Sequence, residues 1–409
     1  MASLATHGDA HVDPLDVTRP ELYRDDRWHE PFRTLRATAP VYRCEDSAFG
    51  PYWSISAYKP IVEVESLPEL YSSQAGGITV ADLMEGDIKM PMFIAMDRPK
   101  HTGQRRTVAP AFTPSEMQRM RADIVARTAE ILDELPVGET FDWVDRVSIE
   151  LTTQMLAILF DFPWAERRKL TYWSDWAGDI EIAKDPVRKE ERRQILFQCA
   201  SEFGALWNSK ICKDPTPDLI SMMIHSDAMA EMDQMEFLGN LILLIVGGND
   251  TTRNSMSAFA WGLEQYPDQR AKLEADASLI PNAVQEIIRW QTPLAHMRRT
   301  ATADAELMGQ QIRAGDKLAL WYISANRDES MFERPDEIIV DRANARRHLA
   351  FGHGIHRCVG ARLAELQIGV LMEEMAKRRL RVNVTAEPER VAACFVHGYK
   401  QMQVELSRY

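Results

Sequence analysis

The pattern of hydrophobic and polar positions predicts a mainly helical chain. In six long segments, apolar residues recur every three or four positions, which is the spacing of one face of an α-helix. Shorter runs rich in Val, Ile, Tyr and Trp lie towards the two ends of the chain and predict strands. The predicted helices cover residues 115–135, 145–162, 191–212, 235–265, 282–291 and 360–379. The predicted strands lie within 40–44, 52–58, 305–312, 317–324, 380–384 and 401–406. We therefore expect a mainly α fold with small β-sheets.

Composition narrows the classes of protein to be considered. The chain has 409 residues, 45% of them apolar, and no internal repeat or Gly/Ser-rich linker, so we expect one continuous domain over residues 1–409. Acidic residues outnumber basic ones by 61 to 48, and the net charge of −13 disfavours nonspecific binding to nucleic acid. The sequence has no signal-like N-terminus and no run approaching the roughly 20 apolar residues of a membrane span. We expect a soluble, cytoplasmic protein.

The longest predicted helix contains an unusual pair of glycines. At 1.5 Å per residue this helix would be about 45 Å long and would cross the molecule. Gly247 and Gly248 should each cost about 1 kcal/mol in its interior. In one interpretation the helix ends there, and Asn249 or Asp250 caps a second helix. In the other, the glycines make room for a flat cofactor, and Asp250 with Thr251 delivers protons beside it. The spacing alone does not choose between them.

The decapeptide FGHGIHRCVG at residues 351–360 surrounds one cysteine with glycines, just before a predicted helix. Backbone N–H groups and the helix N-terminus would stabilise a thiolate at Cys358, which is the form that binds a metal. Three alternatives compete with an axial metal ligand. A buried structural cysteine would not require the glycines; a zinc site with His353 and His356 lacks a fourth ligand; and a nucleophilic cysteine would need a distant histidine for which we see no signature.

This decapeptide resembles the haem-binding signature of the cytochrome P450 superfamily, FxxGxxxCxG, matched at Phe351, Gly354, Cys358 and Gly360. Three further motifs of that family occur in the family's order and approximate spacing. They are MDRPKHTGQRR with His101 and Arg105, VGGNDTT with Gly247, Gly248, Asp250, Thr251 and Thr252, and QEIIRW with Glu286 and Arg289. Because the resemblance covers essentially the whole chain, it implies the P450 fold, with the long helix lying over a haem.

The resemblance also implies a set of site residues. Cys358 would be the axial ligand of the iron in haem b, and Asp250 and Thr251 would be the catalytic proton-delivery pair. Glu286 and Arg289 would form a buried ion pair that supports the cysteine loop. The predicted haem contacts are Cys358, His101, Arg105, Arg299, His356, Phe351, Gly352, Gly247 and Gly248. Arg298 is the alternative to Arg299 as a haem propionate ligand.

The activity that the resemblance implies is monooxygenation of an unactivated C–H bond with O2 as cosubstrate. The chain has no room for a flavin domain and no ferredoxin-type cysteine set, so the electrons would come from NAD(P)H through a ferredoxin reductase and a ferredoxin. Such a small acidic protein would dock near Cys358, on a basic patch of four arginines. The patch consists of Arg346, Arg347, Arg357 and Arg362. A peroxide-driven enzyme is disfavoured, because such members tend to lose the acid–alcohol pair.

The segments 243–257 and 286–301 look like the bacterial soluble alkane hydroxylases within that superfamily, which attack the terminal methyl group of medium-chain alkanes and related fatty acids. A small apolar substrate is therefore expected, and the Met-rich segment 75–97 takes the place of the family's substrate lid. The predicted substrate-lining residues are Leu244, Val246, Leu294, Met297, Phe395 and Val396. Two alternatives are a P450 that acts on another apolar substrate, such as a terpene, and a haem-thiolate sensor or carrier without turnover.

Overall fold

The computed structural model describes residues 13–83 and 87–409. Residues 1–12 and 84–86 of the predicted domain lie outside the described part. Helices dominate this part and are numbered in chain order. They are α1 Pro20–Arg24, α2 His29–Thr38, α3 Tyr58–Ser66, α4 Lys100–Val108, α5 Pro114–Asp133, α6 Glu150–Phe160, α7 Arg168–Gly178, α8 Pro186–Lys210, α9 Leu219–Ile224, α10 Gln234–Gln265, α11 Pro267–Ala275, α12 Ile280–Gln291, α13 Tyr322–Ala325 and α14 Ala361–Arg378.

The strands are short and form small sheets. They are β1 Val41–Cys44, β2 Tyr52–Ile55, β3 Tyr71–Ser72, β4 Thr140–Asp142, β5 Met297–Ala301, β6 Ala305–Leu307, β7 Gln310–Ile312, β8 Lys317–Leu320, β9 Leu380–Val384, β10 Glu389–Arg390, β11 Tyr399–Gln401 and β12 Gln403–Arg408. The largest sheet has the order β1-β2-β8-β5-β3, in which only β2 and β8 run parallel. A second sheet has the order β4-β12-β9, and β6-β7 and β10-β11 are hairpin-like pairs. The predicted fold class, mainly α with small β-sheets, is confirmed.

All six predicted helices are present, with ends that differ by a few residues from the prediction. The largest local difference is at 145–162, where a π-helical segment, Val144–Ile149, precedes α6. The strand prediction for 317–324 was wrong beyond Leu320, because the chain turns there into the short helix α13. All of 317–324 is buried, and a short, continuously apolar run does not distinguish a strand from a helical turn.

The central helix α10 runs for 32 residues without a break at Gly247 or Gly248. It begins at the N-cap residue Asp233, whose side chain accepts hydrogen bonds from the backbone N–H groups of Met235 and Glu236. The interpretation in which a helix ends at the glycines is therefore wrong. Most side chains of α10 are buried, and the helix packs against α6, α7, α12 and α14. It therefore crosses the core, as its predicted length led us to expect.

The sheet β1-β2-β8-β5-β3 places Arg299 beside the centre of the molecule. Arg299 of β5 lies opposite Leu318 of β8, and both are buried.

Among the described residues, no helix is long and apolar enough to span a membrane.

Candidate active site

A cavity of about 620 Å³ opens beside α10, within the range of about 300–1,000 Å³ typical of small-molecule sites. It is bordered by the cysteine loop (residues 351–360), by α8 and by the lid segment (residues 75–97). All six residues predicted to contact substrate line it: Leu244, Val246, Leu294, Met297, Phe395 and Val396. So do Asp250, Thr251 and every predicted haem contact except His101, namely Arg105, Gly247, Gly248, Arg299, Phe351, Gly352, His356 and Cys358.

Glycines shape the cysteine loop. Gly352 and Gly354 have φ values of 68° and 65°, a left-handed backbone conformation that side chains disfavour. A Cβ atom on Gly354 would also collide with the backbone carbonyl of Glu65. The loop closes on itself through a 2.7 Å hydrogen bond from the N–H of Cys358 to the carbonyl of Phe351. The sulfur is thereby held at a defined position, three residues before α14 begins.

The environment of Cys358 has opposing effects on its thiol. The side chain is exposed, but to the interior cavity that it lines rather than to the outer surface. Because protein encloses the site, burial raises the pKa of the thiol, while the Gly360 N–H and the nearby Arg105 guanidinium act to lower that pKa. A thiolate here therefore has a hydrogen-bond donor and cations to stabilise it.

Two neighbouring histidine rings, one of them in the cysteine loop, have no partners for their nitrogens among the described residues. The rings of His101 and His356 lie with centroids 4.3 Å apart, and none of their four nitrogens has a hydrogen-bond partner in the described structure. Burial lowers the pKa of His101 to about 4 and that of His356 to about 2, with help from Arg105 and Arg299 respectively. Buried polar atoms are normally satisfied. Each neutral ring has one N–H donor, so the two rings together offer donors to acceptors that the described protein residues do not supply.

Of the two candidate arginines on β5, only Arg299 borders the cavity. Its guanidinium binds Glu65 at 2.9 Å and the Arg298 carbonyl at 2.7 Å. Glu65 is itself held by the Tyr322 hydroxyl at 2.6 Å. Arg298 instead pairs with Asp82 of the lid segment at 2.5 Å. The two neighbours point into different ion pairs, and the geometry favours Arg299 as the propionate ligand.

The two glycines of α10 have different surroundings. A Cβ atom on Gly247 would meet nothing within 4 Å, whereas one on Gly248 would lie 2.8 Å from Cδ2 of Leu156. Gly247 therefore keeps space open on the cavity side, and Gly248 allows α6 to pack closely. The Thr251 hydroxyl donates a 2.8 Å hydrogen bond to the Gly247 carbonyl, which places it on the same stretch of cavity wall.

Asp250 is buried in a polar network. Its Oδ1 accepts hydrogen bonds from Ser174 at 2.9 Å, Asn249 at 2.9 Å and Arg253 at 3.0 Å. Arg253 also binds Asp175 at 2.9 Å, and Asp175 is 53% exposed. Burial raises the pKa of Asp250 to about 6. The network therefore joins the cavity to the surface through a carboxyl group that can exchange a proton near neutral pH.

Sequence reasoning did not identify the partners of Asp250. Only Arg253 carried a local signal, because it is three residues from Asp250 on the same helix. Ser174 lies on α7, far away in sequence. Gly178 at the end of α7 is a further case, since a Cβ atom there would lie 3.0 Å from Oδ2 of Asp250.

The predicted pair Glu286 and Arg289 is fully buried, with two N–O distances of 2.8 Å. Arg342 joins it at 2.9 Å from Glu286, a third member that sequence reasoning missed. Arg289 also donates to the carbonyls of Asn326, Pro335 and Glu337. This triad ties α12 to the irregular chain that leads into the cysteine loop.

The lid segment forms another wall of the cavity, although its residues 84–86 lie outside the described structure. Ile78, Met90, Met92, Phe93 and Ile94 are among its lining residues. The segment is anchored where the Val80 N–H donates to Nε2 of His296 at 3.1 Å and where Asp82 binds Lys317 at 2.8 Å.

Among residues 13–83 and 87–409, no three His, Cys, Asp or Glu side chains lie close enough together to hold a metal ion. The zinc alternative for His353, His356 and Cys358 therefore has no support in the geometry.

Comparisons with known proteins decide the family. The family model described as "Cytochrome P450" matches residues 137–378, more than half of the chain. The chain belongs to the cytochrome P450 family. A solved structure, CYP153D17 from Sphingomonas sp. PAMC 26605, is 76% identical, covers 97% of this chain and 100% of that chain, and superposes with a TM-score of 0.94.

Two curated P450 relatives are also similar over most of their length. Linalool 8-monooxygenase from Pseudomonas putida is 34% identical over 96% of this chain and 98% of that protein. A methyl-branched lipid omega-hydroxylase from Mycobacterium bovis is 32% identical over 92% of this chain and 90% of that protein. The expected fold is confirmed, and with it a monooxygenase that uses O2 and haem b held by a cysteine thiolate.

The residues present fit a haem. A flat ring carrying two carboxylates matches an open face at Gly247, a sulfur accessible from the cavity at Cys358, and four unsatisfied nitrogens on His101 and His356. Carboxylates accept hydrogen bonds from the one N–H group that each neutral ring carries and pair with arginines such as Arg105 and Arg299.

Proposed function

We propose that this P450 hydroxylates the terminal methyl group of medium-chain alkanes or fatty acids. The observation that carries the proposal is a single cavity that joins Cys358 and Thr251 to an extensive apolar wall. The omega-hydroxylase name of the Mycobacterium bovis relative supports attack at a chain end. Haem, when bound, supplies activation of O2 for insertion of one oxygen atom into a C–H bond.

In this proposal residues of the cysteine loop, α4, β5 and α10 would hold the haem. Cys358 would ligate the iron, and Gly247 would leave room for the ring. His101, Arg105, Arg299 and His356 would bind the two propionate carboxylates, each of which gains charge-assisted hydrogen bonds. Phe351, Gly352 and Gly248 would complete the pocket wall.

Asp250 and Thr251 would deliver protons to the cavity. A carboxyl group whose pKa burial raises to about 6 is protonated often enough near neutral pH to act as a donor. Arg253, which stays protonated, would hold Asp175 near Asp250. Asp175 would take up protons from solvent and pass them to Asp250, and the Thr251 hydroxyl would orient the proton on the cavity side. An enzyme driven by peroxide would have no need of this network, and neither would a sensor or carrier without turnover.

Selectivity for the chain end requires a shaped channel. A primary C–H bond is stronger than its secondary neighbours, so positioning must overrule intrinsic reactivity. Leu294 and Val396 face each other across a β-bridge, and the Ala295 N–H binds the Phe395 carbonyl at 2.8 Å. These two backbone contacts would fix the side chains of Leu294, Phe395 and Val396 as a rigid apolar wall.

The electron donor would be a ferredoxin, itself reduced by a ferredoxin reductase and NAD(P)H. Arg346, Arg347, Arg357 and Arg362 are all exposed, and within the described part of the chain none of them forms an ion pair. A basic patch beside Cys358 on a protein of charge −13 suits an acidic partner. Charge reversal of Arg346 and Arg362 should lower the rate of reduction and weaken its dependence on salt; unchanged stopped-flow rates would count against this surface.

The substrate proposal is tested with haem-loaded enzyme and a panel of n-alkanes, fatty acids and terpenes. Each compound is scored first for a low-spin to high-spin Soret shift, and its products are then identified by mass spectrometry under reducing conditions. Terminal alcohols from linear chains are expected. The second candidate substrate is linalool, favoured by the name of the Pseudomonas putida relative; preferential turnover of linalool, or mainly subterminal products, would overturn the proposal.

A further inference from the structure

One wall of the cavity is charged rather than apolar. The first turns of α8 carry a run of cations, and three nearby carboxylates among the described residues are paired with them. Asp179 binds Arg188 at 3.1 Å, Asp87 binds Lys189 at 3.0 Å and Glu190 binds Arg193 at 2.6 Å.

Arg192 of α8 takes no part in these ion pairs. It lines the same cavity, and within the described residues it forms no ion pair. A terminal nitrogen of Arg192 donates a hydrogen bond to the Ala177 carbonyl at 2.7 Å, while its Nε is buried and has no hydrogen-bond partner in the described part of the chain. Burial lowers the pKa of Arg192, although Asp179 and Asp87 act to raise that pKa.

A buried guanidinium whose N–H groups lack acceptors raises the free energy of the folded protein unless a ligand supplies those acceptors. Its planar donor set matches a carboxylate better than any neutral oxygen, because two N–H groups can bind two oxygens at once. Arg192 and Cys358 line the same cavity, whose apolar lining residues, such as Ile180, Leu244 and Val246, suit a hydrocarbon chain.

We propose that Arg192 binds the carboxylate of a fatty-acid substrate whose methyl end lies at the Cys358 side of the cavity. This inference rests on the proposed terminal hydroxylation and narrows its substrate class from alkanes or fatty acids to fatty acids. With the carboxylate of the fatty acid fixed at α8, the length of its hydrocarbon chain determines which carbon atom reaches the Cys358 side of the cavity. Arg192 is then a specificity-determining residue.

The experiment compares two ligands of equal chain length, dodecanoate and dodecane, on the haem-loaded full-length enzyme. Dissociation constants are measured by Soret titration and by calorimetry for wild type, R192Q, R192K and the matched control R188Q. Arg188 lies on the same helix, is ion-paired and does not line the cavity. We expect R192Q to weaken dodecanoate binding about tenfold or more, equivalent to about 1.4 kcal/mol, with dodecane changed less than about twofold. R192K should fall between wild type and R192Q, and R188Q should match wild type.

Each contrary result has a distinct meaning. Equal weakening of both ligands by R192Q shows that Arg192 acts only by holding Ala177, and overturns the inference. If R192Q does not fold, R192K decides, because a lysine keeps the charge and loses the bidentate geometry; unchanged dodecanoate binding in R192K then overturns the inference. If wild type binds dodecane but not dodecanoate, the carboxylate anchor is wrong and the proposed function stands. If it binds and hydroxylates neither, the proposed function itself fails.

Discussion

Replacing Asp250 by asparagine should make the stability of the protein less dependent on pH. Burial raises the pKa of this carboxyl from its ordinary value of 3.8 to about 6. Between these two pH values the folded protein keeps a proton that the unfolded chain has lost. The free energy of unfolding of the wild type therefore falls as pH rises through this interval and levels off above about 6.

The magnitude follows from the same two values. At 1.36 kcal/mol for each pH unit between 3.8 and about 6, ionising Asp250 costs the folded protein about 3 kcal/mol at neutral pH. Asparagine cannot ionise, so Asp250→Asn avoids this cost. Because the unfolded carboxyl is already partly ionised at pH 4, the difference in unfolding free energy, variant minus wild type, should rise by about 2.4 kcal/mol between about pH 4 and about pH 7. A constant offset from the lost Arg253 contact does not alter that rise.

The assay is equilibrium urea unfolding of the haem-loaded proteins, followed by far-UV circular dichroism across this pH range. Asp175→Asn is the matched control, because it changes the half-exposed end of the same network, where the carboxylate stays hydrated; it should show a much smaller rise. A pH-independent difference for Asp250→Asn, or one that falls as pH rises, would refute the reasoning that Asp250 is held in a desolvated site.

Three further predictions concern the support of the haem site. Arg289→Met should cost about 3–5 kcal/mol of unfolding free energy, because it leaves a buried carboxylate without its main partner; urea unfolding measures this loss. Arg299→Ala should speed haem transfer to apomyoglobin more than Arg298→Ala, since both arginines are buried and ion-paired but only Arg299 borders the cavity. Gly354→Ala should lower the melting temperature and haem content well beyond Gly309→Ala, because both have positive φ but only Gly354 faces a backbone collision; equal losses would contradict this explanation.

Much of the fold was predictable because its signals are local. The helical period of α10 and α14 is carried by neighbouring residues, and the glycines around Cys358 are contiguous with it in the sequence. The spacing of Glu286 and Arg289 places them on one helix face wherever the helix lies. The resemblance to the P450 family is detectable for the same reason, because each of the family's motifs is a contiguous stretch of sequence.

What the pattern did not reveal depends on which distant segments meet. Arg342 completes the buried triad from another part of the chain, and Ser174 reaches Asp250 from α7. The roles of Gly247 and Gly248 diverge only because Leu156 packs against one of them. The strand prediction for 317–324 was wrong past Leu320 because complete burial conceals the periodicity that distinguishes a strand from a helix.

The sequence by itself determined the helical framework, the cysteine loop and the order of the family's motifs, because backbone preference and side-chain period act over a few residues. Only the tertiary structure decided which charges are neutralised and which are left over. Among residues 13–83 and 87–409, Arg193 forms an ion pair and Arg192 does not, and Arg299 rather than Arg298 lines the cavity. Electrostatic partnership depends on distance in space, and adjacent residues of identical type can therefore have different functions.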